Sequence, residues 1–437
     1  MALHFRSCDH FRFTKRRDDH LKAIQPIANR IKSLTVHVTA SVQYWERVHL
    51  SNFFAIPYQD LESLDLSFNA FYASFSRRNQ NQPLYRPDVS DTKETVILQL
   101  LALIPADRLK QLTLRHMKGW PPTRFGNLTD LTLFGYVDGI ALAEAVPANP
   151  ALRRLKLESI KYKERYSWNS SRLVNLDSQT LELSRCEPDV LRMFALSSTC
   201  SLVITTTMGR SVLYNKEVLG LRWLPHDIST IQCLHELDEV HLSVTKTPRR
   251  RGWISAEQKA VGYSTSKLTS GTRPEPSVTF TIMHHFYVDD DKGYPFEPQY
   301  LLPYPVQWVK VTRASLDGFH GRFGFHDNVI LKTLPNLRSI TLRRCDSGLV
   351  PLIAPAELRS LESLRFEDDL SGADFGDVLS MALQSRQLSS GQRLKELIIV
   401  TSGDLSSTIT VEQMGKLKGF GDNVEVTTAP SYISVVR

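Results

Sequence analysis

The sequence lacks the cysteine pattern of a disulfide framework or of a zinc site. It contains five cysteines, an odd number, and no two of them are spaced as C-x-x-C. Disulfide frameworks and structural zinc sites both need several cysteines at close and regular spacings. We therefore expect reduced, partly buried thiols at Cys8, Cys186, Cys200, Cys233 and Cys345.

A long apolar run and a secretory signal are also missing. A membrane-spanning helix needs about 18 or more consecutive apolar residues, and the chain has no such run. Its opening stretch, MALHFRSCDHFRFTKRRDDH, is basic and polar where a secretory signal has an apolar segment. These absences predict a protein of the cytoplasm or the nucleus.

Motifs of catalysis and cofactor binding are likewise not found. Gly318, Gly321 and Gly324 are spaced by threes, which neither the dinucleotide fingerprint nor the phosphate-binding loop uses. The acidic run Asp289–Asp291 has no glutamate at the end of a calcium loop. We predict that the protein is not an enzyme and binds no cofactor and no metal. An enzyme built on a repetitive β-helix stays open as an alternative, because a triad assembled from distant positions leaves no local motif.

The most informative feature present is a recurring leucine pattern. The stretch LESLDLSFN places Leu61, Leu64 and Leu66 at offsets of three and two, and Asn69 follows. An offset of two is the period of a strand, and the whole matches the leucine-rich-repeat pattern L-x-x-L-x-L-x-x-N/C-x-L. Further copies are RLKQLTLRH, NLTDLTLFG, ALRRLKLES, NLRSITLRRC, SLESLRFED and RLKELIIVT, and Cys345 falls at the Asn or Cys position of one of them.

The copies are irregularly spaced and are separated by segments with helical character. Weaker copies are predicted around Leu34, Leu181, Val240 and Val309. Helices are predicted between strands at 91–104, 138–146, 187–198, 327–334 and 372–385. The predicted fold class is α/β. We expect a basic N-terminal segment over 1–26 and one irregular leucine-rich-repeat solenoid over 27–437, with parallel strands on the concave face and helices and loops outside.

Basic residues are concentrated in one segment of the chain. Of the formal net charge of +7, residues 246–273 supply seven Lys and Arg against one Glu, with Arg249, Arg250 and Arg251 in succession. The segment is poor in aliphatic residues, so we predict a disordered insertion between repeats. Its arginines form a candidate basic loop for an acidic partner or for nuclear import, with a plain solvated loop as the alternative. Binding to nucleic acid or to a membrane is not predicted.

The residues that flank the central leucines should face away from the core. In a strand alternate side chains share a face, so buried Leu112, Leu131 and Leu155 would place their neighbours outward. Arginine and aromatic residues dominate binding hot spots. The candidate partner-binding positions on the concave face are therefore Arg115, Phe134, Lys156, Arg343 and Arg365, against the alternative of an ordinary solvated surface.

The arrangement resembles the repeat region of the large F-box and leucine-rich-repeat proteins of mushroom-forming fungi. The resemblance rests on the irregular repeats and on the opening HLKAIQPIANRIKSLTVHV, followed by SVQYWERVHL, with Arg30, Ile31, Leu34 and Val36 at the first repeat strand. It implies substrate recognition for a cullin-type ubiquitin ligase, in which the F-box binds a Skp-family adaptor and the repeats hold a target protein.

The first residues depart from that family. Residues 1–26 are too few and too basic to supply an F-box, so binding of the Skp-family adaptor is not predicted from them. The alternative function is a free-standing leucine-rich-repeat scaffold or inhibitor without a ligase.

Overall fold

The structure is a computed structural model and describes part of the chain. The described residues are 1–6, 22–39, 55–69, 106–115, 125–135, 139–160, 173–177, 179–186, 188–208, 229–248, 253–264, 276–287, 308–319, 334–345, 347–353, 358–367, 375–401 and 409–428. The chain divides into two compact units, Met1–Cys200 (the N-terminal unit) and Ser201–Arg437 (the C-terminal unit), which we treat one at a time. Within the described ranges, no helix is both long and apolar enough to cross a membrane.

The N-terminal unit is built on parallel strands. Its strands are β1 (Ala2–Arg6), β2 (Ser33–Thr39), β3 (Ser63–Asn69), β4 (Gln111–Arg115), β5 (Asp130–Phe134), β6 (Arg154–Glu158), β7 (Val174–Leu176), β8 (Thr180–Ser184) and β9 (Phe194–Leu196). Strands β1 to β6 and β8 pair in that order, all in parallel, and β7 pairs with β9 in a separate parallel pair. Its α-helix is α1 (Gly139–Ala148), and its 3-10 helices are Gln25–Arg30, Ala106–Arg108 and Pro188–Met193.

The leucine pattern sets the register of these strands. Leu112 pairs with Leu131, and Leu131 with Leu155, so the central leucines form one buried row. All three are at most 2% exposed, which confirms that they are core residues. The leucine two positions later forms a second buried row, and the residues between and beside the two rows are more exposed. The strands thus separate an apolar face from a polar face.

A tight turn precedes the strand of each typical repeat. The N–H of the first repeat leucine donates to the carbonyl three residues earlier, at 3.0 Å between Leu128 and Phe125. The same bond joins Ile31 to Ala28, Leu61 to Tyr58, Leu337 to Leu334 and Leu361 to Leu358. The residue whose carbonyl accepts this bond is buried in each case. The repeat pattern therefore begins three residues before the first leucine, with a buried residue that is followed by two variable ones.

The C-terminal unit continues the same repeat but contains an exception. Its strands are β10 (Ser201–Met208), β11 (Glu239–Pro248), β12 (Trp253–Tyr263), β13 (Val278–Tyr287), β14 (Arg313–Asp317), β15 (Ser339–Arg343), β16 (Ser363–Glu367), β17 (Leu394–Thr401) and β18 (Gly421–Thr428). The spatial order is β10-β13-β12-β11-β14-β15-β16-β17-β18. Strand β12 is antiparallel to both of its neighbours, and the other neighbouring pairs are parallel. The helices are α2 (Gln232–His235), α3 (Phe375–Ser390), α4 (Val411–Leu417) and the 3-10 helix Ser347–Ile353.

The prediction of a disordered insertion over 246–273 is wrong for the described part of that segment. Residues Trp253–Tyr263 form strand β12, which pairs with β11 on one edge and with β13 on the other, so both edges of its backbone are hydrogen-bonded. Few aliphatic residues are needed there because the inward positions are small or polar: Gln258, Ala260 and Gly262 are buried. Residues 249–252 and 265–273, and with them Arg249, Arg250 and Arg251, lie outside the described residues.

Several other predictions are corrected by the structure. Val309 is not a central repeat position, because it is 51% exposed and β14 begins four residues later with Ala314 and Leu316 inward. An alanine in place of the central leucine concealed this repeat. The segment 1–26 is not only a basic N-terminal segment outside the repeats, since Ala2–Arg6 pairs in parallel with β2. The segment 187–198 is not an α-helix: Pro188 opens a 3-10 helix that leads into β9.

Two of the predicted helices are confirmed. The segment 138–146 corresponds to α1 and the segment 372–385 to α3. The predicted helix at 91–104, nearly all of that at 327–334, and the side chain of Asn69 lie outside the described residues. The fold class is α/β, with mostly parallel strands and few helices among the residues described.

Candidate functional site

The polar face of the N-terminal unit is arranged in rows that run across the strands. One row places Ser67, Arg115, Phe134 and Glu158 side by side on β3 to β6. The row before it contains Asp65, Thr113, Thr132, Lys156 and Glu182. We call the outward side chains of these strands the N-terminal strand face. Neighbouring strands lie about 4.8 Å apart, so side chains in a row are within contact distance.

Arg115 and Phe134 form the aromatic part of this face. The Arg115 guanidinium lies over the Phe134 ring, 5.8 Å from its centroid. Its Nε and Nη2 donate to the two carboxylate oxygens of Asp65 at 3.2 and 3.3 Å. A bidentate carboxylate on one side and an aromatic ring on the other fix the orientation of the guanidinium.

The charges of the N-terminal strand face are balanced. Lys156 Nζ lies 2.9 Å from Glu182, and Arg154 Nε lies 2.9 Å from Asp130. Arg185, just beyond β8, pairs with Glu158. Together with Arg115 and Asp65, four cations therefore face four carboxylates, and Lys156 Nζ also lies 3.9 Å from Glu158. Each such surface pair contributes at most about 1 kcal/mol to stability, so their main effect is to fix geometry.

The polar face of the C-terminal unit is arranged in the same way on β14 to β17, which we call the C-terminal strand face. Here Arg343 and Arg365 share a single carboxylate. Arg343 Nε donates to Glu367 Oε2 at 2.7 Å, and Arg365 Nε donates to Glu367 Oε1. Burial acts to raise the pKa of Glu367, but the hydrogen bonds and charges of the two arginines outweigh it and hold that pKa below its ordinary value. Glu367 is therefore ionised at neutral pH.

Other charges on or beside the C-terminal strand face lie on β11 and β14, just after β15, and on β17, where Glu396 accepts from the Ser363 hydroxyl at 2.7 Å. Arg313 lies 2.8 Å from Glu239, which also bonds to His241. The His241 hydrogen bond is the chief reason that the pKa of Glu239 is lowered, and Arg313 adds to the effect. Arg344 Nη2 donates to Asp317 at 2.6 and 2.7 Å.

A turn in the left-handed region aims two of these arginines. Arg185 and Arg344 directly follow β8 and β15 with φ of 54° and 48°. An L-residue adopts this conformation at a cost of roughly 1 kcal/mol. The Arg344 N–H donates to the Glu367 carbonyl at 2.9 Å, which holds the turn in place. In both repeats the arginine side chain then reaches back to a carboxylate on the neighbouring strand of the sheet, Glu158 on β6 or Asp317 on β14.

The residue after each of these arginines is a cysteine with a structural role. The Cys186 and Cys345 thiols donate to the carbonyls of Leu157 and Leu316 at 3.2 and 3.3 Å. Burial raises the pKa of both thiols to about 11. Both are therefore protonated at neutral pH, and neither has the thiolate character of a nucleophile or a metal ligand.

The structure brings the predicted partner-binding residues into two groups. Arg115, Phe134 and Lys156 lie on adjacent strands of the N-terminal unit, while Arg343 and Arg365 meet at Glu367 in the C-terminal unit. The carboxylates that hold them were not predicted. Their sequence signal was weak: an acidic residue at an outward strand position, as in Asp65, Glu182 and Glu367.

Neither a metal centre nor a known relative points to a different function. In the part of the chain that the structure describes, no cluster of three or more His, Cys, Asp or Glu side chains could hold a metal ion. No protein-family model matches the chain, and no curated protein is significantly similar to it. The function is therefore argued from the two strand faces.

Proposed function

We propose that the protein is a non-catalytic protein–protein interaction module that binds a target protein on its strand faces. The observation that carries the proposal is the Arg115–Phe134 pair, an arginine over an aromatic ring within a registered row of outward side chains. Arginine and aromatic residues supply most of the energy of protein interfaces. A partner would contact these side chains without any change in the buried leucine rows.

The ion pairs support this function because they fix the side chains before the partner arrives. Ordering a free arginine side chain at an interface costs about 0.5 to 1.5 kcal/mol. Asp65 already holds Arg115, and Glu367 already holds Arg343 and Arg365. A partner therefore meets side chains that have already lost much of their conformational freedom.

The repeats support a finer assignment to an irregular leucine-rich-repeat solenoid with its strands on the concave face. This resembles the substrate-recognition repeats of the F-box protein in a cullin-type ubiquitin ligase, acting in the cytoplasm or the nucleus. The alternative is a free-standing scaffold or inhibitor that binds a protein but recruits no ligase. An enzyme on a β-helix is a weaker proposal, since α1 and α3 lie between parallel strands and a β-helix has no such helices.

Affinity capture from a fungal cell extract tests the proposed function. The tagged full chain would be compared with Arg115→Ala/Phe134→Ala, which removes the stacked pair while leaving the buried leucines unchanged. We expect the double variant to fold normally but to lose the proteins recovered by the unmodified chain.

The matched control is Glu144→Ala/Arg192→Ala, in which both exposed residues lie outside the strands. This control should recover the same proteins as the unmodified chain. Binding on the strand face would be contradicted if Arg115→Ala/Phe134→Ala still captured the same proteins. It would also be contradicted if the control variant lost them to the same extent. Co-purification of a cullin and its adaptor with the target favours the ligase function, and recovery of the target alone favours the scaffold.

A further inference from the structure

The pairing of Arg343 and Arg365 with one carboxylate leaves an imbalance of charge. The two guanidiniums carry two positive charges, and Glu367 supplies one negative charge. The side chain of Glu367 is 15% exposed, while those of Arg343 and Arg365 are 48% and 42% exposed. The carboxylate therefore lies low between two guanidiniums that face the solvent. We call these three side chains the arginine fork.

The arginine fork has hydrogen-bond donors beyond those that Glu367 uses. A guanidinium has five N–H donors. Arg343 donates to Glu367 through Nε and Nη2, and Arg365 donates through Nε. Arg343 is thus held by one edge and Arg365 by one N–H, which among the described residues leaves further N–H groups to meet an anion from the solvent side.

An aliphatic surface lies beside the arginine fork on the next strand. Ile398 is the register partner of Arg365, and Val400 is that of Glu367. Both aliphatic side chains are half-buried on the outward face of β17, whereas their neighbours Leu397 and Ile399 are fully buried. A ligand on the fork would therefore contact guanidinium on one side and aliphatic carbon on the other.

We propose that the arginine fork binds a carboxylate side chain of the partner protein, with an adjacent apolar residue of that partner packed on Ile398 and Val400. The inference rests on the proposed function and names the partner's chemistry: an acidic segment that also carries apolar residues. One added carboxylate neutralises the net charge of +1, whereas a doubly charged phosphate would exceed it beside Glu367. Bidentate arginine–carboxylate geometry suits such a contact.

Fluorescence anisotropy with the full chain tests the inference. The probe is a fluorescein-labelled peptide of Asp-Leu pairs separated by glycine and serine, and the matched probe has Asn in place of Asp. We expect only the acidic probe to bind. Arg343→Gln/Arg365→Gln should weaken its binding roughly tenfold, because two exposed charge contacts are lost. Glu367→Gln should tighten it about threefold, because the amide oxygen of Gln can still accept from the two arginines while the competing negative charge is removed.

Two controls separate the arginine fork from net charge and from phosphate binding. Arg338→Gln/Arg359→Gln makes the same charge change at exposed arginines outside the strands and should leave the affinity within about twofold. Equal weakening in this control would overturn the inference, as would an unchanged affinity in Glu367→Gln. Displacement of the probe by inorganic phosphate at concentrations where acetate has no effect would also overturn it. Circular dichroism and thermal unfolding of each variant confirm that it is folded.

The inference and the proposed function can fail separately. If the acidic probe does not bind while protein capture still depends on Arg115 and Phe134, the arginine fork is not a carboxylate site and the interaction module stands. If the probe binds as described while capture ignores the Arg115–Phe134 pair, the N-terminal strand face is not the binding site and the arginine fork stands.

Discussion

The two units hold charged side chains on their strand faces in different ways. On the N-terminal strand face the cations and carboxylates are equal in number, as with Arg115 and Asp65 or Lys156 and Glu182. On the C-terminal strand face Arg343 and Arg365 both pair with one carboxylate, that of Glu367. The same repeat therefore produces a balanced face in one unit and a locally positive site, the arginine fork, in the other, which makes that site better suited to a negatively charged partner.

The units also differ in how strictly they keep parallel pairing. Strands β1 to β6 and β8 form an unbroken parallel series, whereas β11, β12 and β13 form an antiparallel meander between β10 and β14. The first and third strands of such a meander run in the same direction. Strand β13 can therefore pair in parallel with β10, and β11 with β14. Strand β11 carries the repeat residues Val240 and Leu242, so the added strands are β12 and β13. Two added strands keep the repeat direction on both sides, which a single added strand would reverse.

The largest expected effect is on the buried leucine rows that both units share. Leu131→Ala in the N-terminal unit and Leu364→Ala in the C-terminal unit should each lower the free energy of unfolding by about 2 to 5 kcal/mol, through lost burial and a cavity. Chemical denaturation measures the change. Thr132→Ala, at an outward position next to Leu131, should change stability by less than about 0.5 kcal/mol. Equal effects of Leu131→Ala and Thr132→Ala would contradict the register.

A smaller effect should be specific to the antiparallel meander. A Cβ at Gly262 would lie 2.5 Å from Cδ1 of buried Leu237, so Gly262→Ala should cost about 1 to 3 kcal/mol by overpacking. Gly126→Ala is the matched control in the N-terminal unit, because its Cβ would meet nothing within 4 Å. Thermal unfolding of both variants gives the comparison. A Gly262→Ala protein as stable as the control would show that β12 is not packed against Leu237.

The smallest expected effect concerns the shared carboxylate. The pKa of Glu367 is lowered in the folded protein from its ordinary value of 4.5. The ionised carboxylate therefore stabilises the fold at pH values above 4.5. This stabilisation is lost as the pH falls through the lowered pKa. Glu367→Gln should therefore be less stable than the unmodified chain by up to about 1 kcal/mol at pH 7. The difference should shrink as the pH falls below about 4. A difference that grows towards acid would contradict the pairing.

The repeat strands could be predicted from sequence because the leucine spacing alone fixes their buried face. Leu112, Leu131 and Leu155 needed no other information. Strand β12 could not be predicted, because its stability comes from pairing on both edges and not from its own aliphatic content. The short pair β7 and β9 was missed because each strand has only three residues, too few to show the repeat spacing. Strand β14 was placed too early because Ala314 stands where a leucine was expected.

The candidate site could be predicted in position but not in chemistry. Alternation along a strand was enough to place Arg115, Phe134 and Arg365 outward. The sharing of Glu367 depends on the register between β15 and β16, which brings Arg343 beside Glu367 across two different repeats. Sequence spacing within one repeat contains no information about that contact.

The most direct test of binding on the strand faces is photo-crosslinking of the captured target. The crosslinking amino acid p-benzoylphenylalanine would replace Thr132 on the N-terminal strand face or Thr341 on the C-terminal strand face, with Glu144 on α1 as the control position. The account predicts a covalent adduct with the same target from at least one of the two strand-face positions and none from position 144. An adduct from position 144, with none from either strand-face position, would contradict it.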